Sequence, residues 1–209
     1  MPTFHRIPLL VLLSAPSGAG KTTLCHNLMS KHPEFTRVIT CTTRPPRPGE
    51  RDGIDYFFLT QGTFQARVLA GEFLEHATVF GHSYGTLQSE VLAKLRDGRD
   101  VLLNIDVQGA ASVRAQAQQN SELRAALLTV FLTPPSFGEL ESRLRKRGTE
   151  SLDILEHRLG IARKEIACWS DFQYLLTSGS MAEDLRRLEV IIEAERLRVG
   201  RSKPPEEVC

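Results

Sequence analysis

The chain has 209 residues, with 26 Lys and Arg against 25 Asp and Glu, so its formal net charge at pH 7 is +1. This balance gives no overall reason to expect nucleic acid or a membrane surface as a partner, and any basic site must be local. The four cysteines fit neither a zinc spacing nor a redox spacing, so we expect reduced thiols and a cytoplasmic location. The length suits a single α/β domain.

The first apolar run, Ile7 to Leu13, is too short to span a membrane and predicts a buried strand. A Gly-rich turn then leads into the helical pattern of Leu24 to Met29, a context typical of a phosphate-binding P-loop. We expect Lys21 to reach the β- and γ-phosphates and the Thr22 hydroxyl to bind Mg²⁺. The P-loop alone predicts a site for ATP or GTP, formed by Ala15, Pro16, Ser17, Gly18, Ala19, Gly20, Lys21, Thr22 and Thr23.

One position of this P-loop departs from the usual pattern. Ala15 stands where the pattern has glycine, and its methyl group is tolerated only if the local φ is negative. The alternative to a P-loop is an ordinary connection between a strand and a helix, with Lys21 as a surface residue.

The segment after the first helix combines a short strand with a loop of unusual composition. The helix is expected to extend to about His32, and Phe35 to Thr40 predicts a strand. Thr42 to Gly53 contains three prolines and three arginines without apolar periodicity. It is either a flexible connection or an ordered loop in which Arg44 and Arg47 point the same way, because polyproline II has about three residues per turn.

Short strands and helices continue through the middle of the chain. Asp55 to Leu59 predicts a strand, a helix follows around Phe64, and Gly71 to Thr86 predicts strands with glycine turns. Ser89 to Arg96 predicts another helix. Glu75 is a lone carboxylate among apolar neighbours, and on base rates such a side chain faces solvent.

Asp106 follows the strand Asp100 to Ile105, which is apolar enough to be a buried strand of a parallel sheet. In a P-loop protein an acidic residue at this point can help to bind Mg²⁺ or substrate. It can equally be the N-cap of a helix that starts near Val107. The next predicted strand is Leu127 to Leu132.

A cluster of basic residues follows near the end of a helix. Ser136 is expected to cap this helix, which extends to about Lys146. The basic residues either complement the helix dipole or converge from two antiparallel helices into a patch suited to a transferred phosphate. The arginines that would form such a patch are Arg143, Arg147 and Arg158.

The remaining elements complete the prediction of the fold. Tyr174 to Thr177 predicts the last strand, and the pattern from Met181 to Ile192 predicts the last helix. We expect residues 1–6 to form a loose leader and the tail after Gly200 to be disordered. Strands alternating with helices after a P-loop predict an α/β fold, with a parallel sheet flanked by helices and ligands at the C-terminal ends of the strands.

These residues resemble the guanylate kinase family, whose members transfer the γ-phosphoryl group of ATP to GMP. The most specific part of the resemblance is Thr42-Thr43-Arg44-Pro45-Pro46-Arg47-Pro48-Gly49-Glu50, with Gly53, Asp55 and Tyr56. Four more segments occur in the family's order and spacing: Phe73-Leu74-Glu75, Tyr84-Gly85-Thr86, Ile105-Asp106-Val107-Gln108-Gly109 and Arg147-Gly148-Thr149-Glu150.

The resemblance implies one guanylate-kinase-like domain with three parts. These are a P-loop kinase core (residues 7–39, 96–135 and 165–199), an inserted GMP-binding subdomain (40–95) and a helical lid (136–164), followed by a tail (200–209). The implied reaction converts ATP and GMP, or dGMP, into ADP and the nucleoside diphosphate with Mg²⁺ as cofactor. The implied partners are small-molecule nucleotides, with no nucleic acid and no membrane, and no oligomeric state is indicated.

The resemblance also implies a role for individual residues. The catalytic residues would be Lys21, Arg44, Arg143, Arg147 and Arg158. Thr22 would bind Mg²⁺, with Asp106 as a further candidate ligand. The GMP-binding residues would be Thr40, Arg44, Arg47, Tyr56, Glu75, Tyr84, Thr86 and Asp106, of which Glu75, Thr86 and Asp106 would read the base. A carboxylate suits guanine because it accepts from both N–H donors on the Watson–Crick edge, whereas adenine offers only one.

Three places differ from the family's usual residues. Thr40 replaces a common serine and keeps the hydroxyl, whereas Asn104 replaces a common aspartate and leaves the acidic role to Asp106. Ser178-Gly179 replaces the usual Asn-Asp, which changes the expected contact with adenine.

Two other functions compete with this interpretation. A non-catalytic guanylate-kinase-like protein-binding module is disfavoured by Gly20-Lys21-Thr22, and a P-loop kinase for another small phosphate acceptor is disfavoured by Thr42 to Glu50 and by Glu75.

Overall fold

The computed structural model describes residues 5–79, 81–146 and 152–203. Most of the strands in these ranges are short. They are β1 (His5–Arg6), β2 (Leu10–Ser14), β3 (Phe35–Thr36), β4 (Cys41–Thr42), β5 (Phe57–Phe58), β6 (Phe73–Val79), β7 (His82–Leu87), β8 (Asp100–Asn104), β9 (Leu127–Thr133), β10 (Tyr174–Thr177) and β11 (Ser202–Lys203).

The helices alternate with the strands along the chain. They are α1 (Lys21–Lys31), α2 (Gln61–Leu69), α3 (Gln88–Arg96), α4 (Val107–Gln119), α5 (Ser121–Ala126), α6 (Phe137–Lys146), α7 (Leu152–Ala167) and α8 (Met181–Arg196), with 3₁₀ turns at Trp169–Asp171 and Val199–Arg201. Within the described ranges, no helix has the length and apolar character needed to cross a membrane.

Five strands form a parallel sheet in the order β10-β9-β2-β8-β3, which confirms the predicted α/β class. Alternate residues of β2 point to opposite faces, as strand geometry requires. Val11 and Leu13 pack with α1 and α8, whereas Leu10 and Leu12 pack with α3, α4 and α5. Leu13 lies opposite Asn104, so the P-loop after β2 and the residues after β8 are neighbours at the C-terminal edge.

A second sheet of four strands has the order β5-β4-β7-β6. Strands β6 and β7 form an antiparallel pair, and β4 pairs with β7 on one side and β5 on the other. Phe64 of α2 stacks on Phe73, with ring centroids 4.5 Å apart, and Cys41 and Leu87 complete a small core. Because α4 begins directly after β8 and packs against β6, the second sheet faces the edge that carries the P-loop.

Helices α6 and α7 pack on each other through their own apolar cluster. Its buried members are Leu140, Leu144, Leu155 and Ala162. The predicted cap of α6 is present, because the backbone N–H of Glu139 donates to the Ser136 hydroxyl at 3.1 Å.

Several elements differ from their predicted extents. Phe35 to Thr40 is strand only in β3, which lies at the edge of its sheet and ends where the chain leaves for the second sheet. Asp55 to Leu59 is reduced to β5, because the Asp55 carboxylate accepts from the backbone N–H of Arg51 at 2.8 Å and holds a turn there. Helix α5 was not predicted, and the Asn120 side chain caps it.

The two ends of the chain are more ordered than predicted. β1 lies in the predicted leader and pairs antiparallel with β11, which lies in the tail predicted to be disordered. Arg201 explains this order, because its buried guanidinium donates to Glu195 at 2.8 Å and to the carbonyl oxygens of Ala125 and Leu127 at 2.5 and 2.8 Å. The prediction was therefore wrong for β1 and β11 and for the turn that precedes β11.

Candidate active site

The P-loop surrounds a cavity of about 300 Å³ at the C-terminal edge of the parallel sheet. We call this the donor cavity. It is lined by Ala15, Pro16, Ser17, Gly18, Gly20, Lys21, Thr22, Thr23, Asp106 and Glu165. Ala19, which was predicted to bind ATP, is not part of this lining, and its side chain belongs to a core cluster.

The shape of the loop depends on two glycines. Gly18 and Gly20 have φ values of +92° and +96°, which side chains other than hydrogen rarely allow. A Cβ atom on Gly18 would also lie 2.9 Å from Cδ2 of Leu144, so α6 packs directly against the loop. Ala15 is buried and belongs to the core cluster, where its methyl group is accommodated by packing.

Lys21 crosses the mouth of the loop toward β8. Its ammonium donates to the carbonyl oxygen of Ile105 at 2.7 Å. Burial lowers the pKa of Lys21, and the charges of Asp106 and Glu165 oppose that shift. Helix α1 begins at this lysine with no acidic side chain in its first turn, so the positive end of its dipole is available to an anion.

Asp106 is the N-cap of α4, one of the two roles considered from the sequence, and it also lines the donor cavity. One of its carboxylate oxygens, Oδ1, accepts from the backbone N–H of Gly109 at 2.8 Å and caps α4. The side chain is also exposed and lines the donor cavity near Thr22. The cap orients the carboxylate and leaves its second oxygen available to a ligand.

Glu165 lines the donor cavity although no sequence pattern singled it out. It is on α7, and its Oε2 accepts from the backbone N–H of Ser17 at 3.2 Å. Burial raises the pKa of this carboxyl, while the Ser17 bond and the charge of Lys21 oppose the increase. Ser17 and Glu165 are too far apart in sequence for any local spacing pattern to relate them.

A larger cavity of about 810 Å³ lies between the two sheets and helix α1. We call this the acceptor cavity. Thr22 and Asp106 line both cavities, so the two spaces meet at these side chains. The full lining is Thr22, Cys25, His26, Met29, Ser30, Arg37, Val38, Thr40, Tyr56, Glu75, Tyr84, Thr86, Leu102, Leu103, Asn104, Ile105 and Asp106.

Glu75 is held inside the acceptor cavity rather than facing solvent. Its Oε1 accepts from the hydroxyl of Thr86 at 2.6 Å across the β6–β7 pair. Burial raises the pKa of Glu75, and the hydrogen bond from Thr86 opposes the increase. A Cβ atom at Gly109 would lie 3.3 Å from Oε2, so the start of α4 comes close to the carboxylate only because residue 109 is glycine.

Arg44 is tied to its own loop by an ion pair. Its Nη2 donates to both carboxylate oxygens of Glu50, at 2.8 and 2.9 Å, and the backbone N–H of Arg47 donates to the same carboxylate at 2.7 Å. The Glu50 hydrogen bond raises the pKa of Arg44, and the Arg44 bond lowers the pKa of Glu50. The loop is thus ordered, while the exposed side chain of Arg47 lies outside the lining of the acceptor cavity.

The two predicted tyrosines of the GMP site lie together at one end of the acceptor cavity. The Tyr56 and Tyr84 ring centroids are 6.3 Å apart in an edge-to-face arrangement. The Arg44 guanidinium lies 5.5 Å from the centroid of Tyr56. Thr40 lines the same cavity, and Thr86 is buried beside Glu75.

The described arginines of the predicted lid lie on helices α6 and α7. Arg143 of α6 donates to Glu139 at 2.9 Å and to the Ser178 hydroxyl at 3.2 Å. Arg158 is half-buried on α7. Neither of these arginines lines the donor cavity in this conformation. Arg147 lies outside the described residues.

Ser178-Gly179, where the family usually has Asn-Asp, is supported by a buried carboxylate. Asp184 accepts from the Ser178 hydroxyl at 2.8 Å and from the backbone N–H of Gly179 at 2.7 Å. Because Ser178 also accepts from Arg143, this small turn connects the first lid helix to α8. The substitution therefore preserves an ordered turn beside the lid.

Comparisons with known proteins identify the family to which this fold belongs. The guanylate kinase family model matches residues 8–195. A guanylate kinase from Maricaulis maris is 42% identical over 194 residues, which cover 93% of this chain and 86% of that protein. One from Coxiella burnetii is 45% identical over 189 residues, which cover 90% and 88% of the two chains. The crystal structure of guanylate kinase from Anaplasma phagocytophilum has a TM-score of 0.69 and 27% identity, covering 94% and 90% of the two chains. The chain therefore belongs to the guanylate kinase family.

Proposed function

We propose that this protein is an ATP:GMP phosphotransferase, which transfers the γ-phosphoryl group of ATP to GMP or dGMP and releases ADP and the nucleoside diphosphate. The observation that carries this proposal is that the donor and acceptor cavities meet at Thr22 and Asp106. Two nucleotides bound in these cavities would present their phosphates to each other at that point. Direct transfer requires such an approach, because the attacking and leaving oxygens must lie roughly in line.

The acceptor cavity favours guanine through Glu75. Thr86 occupies one side of the carboxylate, and the remaining lone pairs can accept from the N1–H and the N2 amino group of guanine. Adenine has no donor at N1, so it would leave one acceptor unpaired in a partly buried site. Unpaired polar groups of this kind allow discrimination of roughly 10⁴ between related substrates.

The chemistry needs positive charge rather than a nucleophilic side chain. Lys21, Arg44, Arg143, Arg147 and Arg158 would neutralise and orient the phosphates, with the lid arginines acting after residues 136–164 close over ATP. Thr40, Arg47, Tyr56 and Tyr84 would hold the GMP phosphate within the insertion formed by residues 40–95. The structure describes all of these side chains except that of Arg147.

The side-chain oxygen atoms at the point where the two cavities meet are suitable ligands for Mg²⁺. Thr22 offers an exposed hydroxyl, and Asp106 offers the carboxylate oxygen that does not cap α4. Magnesium prefers such oxygen ligands together with waters and substrate phosphates. When bound there, Mg²⁺ supplies neutralisation of charge on the β- and γ-phosphate oxygens. We expect the reaction to take place in the cytoplasm, in keeping with the free thiols of the described cysteines.

A substrate panel tests the proposed function. Purified protein is incubated with ATP, Mg²⁺ and each nucleoside monophosphate in turn, and ADP production is followed in a coupled assay. GMP and dGMP should support turnover far above AMP, CMP and UMP. Equal rates with GMP and AMP, or no ADP with GMP, would contradict the proposal.

A further inference from the structure

Arg37 lies at the entrance to the acceptor cavity, between the end of β3 and Thr40. It belongs to the lining together with Tyr56 and Thr40. Its guanidinium carbon is 5.8 Å from the centroid of the Tyr56 ring, and its Nη2 donates to the carbonyl oxygen of Asp55 at 3.4 Å. The ring and the carbonyl hold the guanidinium beside the tyrosine end of the cavity.

Arg37 and Arg44 both approach the ring of Tyr56, but of these two arginines only Arg44 forms an ion pair with a carboxylate in the described ranges. The charge of Arg44 is offset by the bidentate pair with Glu50. Arg37 is exposed and forms no ion pair with any carboxylate in the described ranges. Of these two arginines at the Tyr56 ring, Arg37 is therefore the one whose charge is not offset by a carboxylate in the described ranges.

We propose that Arg37 is a further substrate-binding residue, which contacts the phosphate of the acceptor nucleotide and strengthens its binding. The proposal rests on the proposed function, since it assigns a new residue to the same acceptor site. A nucleoside monophosphate carries a phosphate with close to two negative charges, and the Arg44–Glu50 pair supplies hydrogen-bond donors but little net charge. Arg37 would add a positive charge, unpaired within the described ranges, to that contributed by Arg47 of the arginine-rich loop.

The chemistry of arginine suits this position. Its planar guanidinium can stack on an aromatic ring while its N–H groups point outward to a phosphate. Tyr56 is thus both a predicted phosphate ligand and the surface against which Arg37 is oriented. A lysine at position 37 would keep the charge but lose the stacking and the paired donors.

The test separates phosphate binding from base binding. Isothermal titration measures the affinity of GMP and of guanosine for wild-type protein, Arg37→Ala and Arg37→Lys. Arg51→Ala is the matched control, because it removes an exposed arginine from the neighbouring loop that does not line the cavity. Arg37→Ala should weaken GMP binding roughly tenfold, as expected for a charge-assisted hydrogen bond, and leave guanosine binding unchanged.

Kinetics and salt dependence give independent readouts. Arg37→Ala should raise KM for GMP by a similar factor with KM for ATP unchanged, and the loss of GMP affinity with added salt should be weaker than in the wild type. Arg37→Lys should recover part of the affinity. GMP affinity unchanged in Arg37→Ala, or an equal loss of GMP and guanosine affinity, would overturn the proposal. Wild-type protein that neither binds GMP nor turns it over would instead overturn the proposed function.

Discussion

The carboxylate of Glu165, on the second lid helix, accepts a hydrogen bond from the backbone N–H of Ser17 in the P-loop, at 3.2 Å. P-loop amides at a helix N-terminus form an anion site, so this side chain occupies space that a phosphate of ATP would use. Leu144 packs on Gly18 from the other lid helix. Helices α6 and α7 therefore both contact the loop, and we expect ATP to displace Glu165 when it binds.

Replacing Glu165 with glutamine should tighten ATP binding. The change removes a negative charge from the phosphate site, and about 1 kcal/mol of lost repulsion corresponds to an affinity gain of roughly fivefold. Glu156→Gln is the control, because Glu156 is an exposed acid on the same helix. Equilibrium titration with ATP in the absence of GMP measures the effect. An affinity for ATP that is unchanged or weaker in Glu165→Gln would show that the carboxylate does not compete with phosphate.

Lys21→Ala should remove phosphoryl transfer while GMP still binds. Lys21 lines the donor cavity, and loss of one preorganised charge of this kind lowers kcat by about 10² to 10³. Lys31→Ala, at the other end of α1, provides the matched control. A coupled assay gives kcat, and titration gives the dissociation constant for GMP. Near wild-type turnover in Lys21→Ala would contradict the assignment of this loop as a phosphate-binding P-loop.

Glu75→Gln should weaken GMP binding and reduce the preference of the enzyme for GMP over AMP. The variant keeps one acceptor oxygen but loses the charge, which costs roughly 10- to 100-fold in kcat/KM for GMP. Glu72→Gln, an exposed acid just before β6, should behave as the wild type. Rates with GMP and AMP measure the discrimination. If Glu75→Gln still discriminated between GMP and AMP as well as the wild type does, a group other than Glu75 would recognise the base.

The same residue predicts a pH dependence of GMP affinity. Because burial raises the pKa of Glu75, its carboxylate takes up a proton at a higher pH than an ordinary glutamate. Affinity should be full above that raised pKa and fall as the pH is lowered through it. The ratio of wild-type to Glu75→Gln affinity cancels the titration of GMP itself, and it should decline as the pH falls through the raised pKa of Glu75. A ratio that stayed constant over that fall in pH would contradict the role of the carboxylate.

Arg201→Ala should destabilise the fold without touching the site. It leaves Glu195 buried without its closest cation, which costs about 3 kcal/mol in the free energy of unfolding. Arg198→Ala, whose arginine pairs with the same Glu195 but is 61% exposed, should cost less than about 1 kcal/mol. Urea unfolding measures both. Equal stabilities of the two variants would show that burial of Arg201 is not what orders the tail.

The Arg201 effect should also depend on pH. Burial alone would raise the pKa of Glu195, but hydrogen bonds from Tyr174 and Arg201 hold it below the ordinary value. A lowered carboxyl pKa gives stability that is complete above the unfolded-state pKa and is lost as the pH falls through the folded-state pKa. The advantage of wild type over Arg201→Ala should therefore shrink in that acidic window. An advantage that grew on acidification would contradict the assignment.

Periodicity was enough to predict the α/β sheet because its main signals are local. The apolar runs that became β2, β8 and β9 are nearly continuous, as expected for strands covered on both faces. The Gly-Lys-Thr turn then placed the donor cavity at one edge of the sheet. Short strands were predicted less well, since β3 and β5 end where the chain changes sheet or where Asp55 forms a turn.

The parts that the sequence did not predict depend on contacts between distant residues. In the sequence, Arg201 is one of several charged residues in a polar tail. Only the fold shows that Glu195 and two carbonyl oxygens surround its guanidinium. Glu165 looks like an ordinary helix-surface acid until α7 brings it to Ser17. Asp184 compensates for Ser178-Gly179 from the following helix. Pattern reasoning cannot detect such pairs, because neither partner is unusual in its own segment.

Transfer between the two cavities is tested most directly by following the phosphate itself. Protein, Mg²⁺, GMP and ATP labelled at the γ-phosphate are incubated together, and the nucleotides are separated and counted. We predict that the label moves from ATP to the β-phosphate of GDP in amounts equal to the ADP formed. Label released as inorganic phosphate, with no labelled GDP, would contradict a site in which the donor and acceptor meet at Thr22 and Asp106.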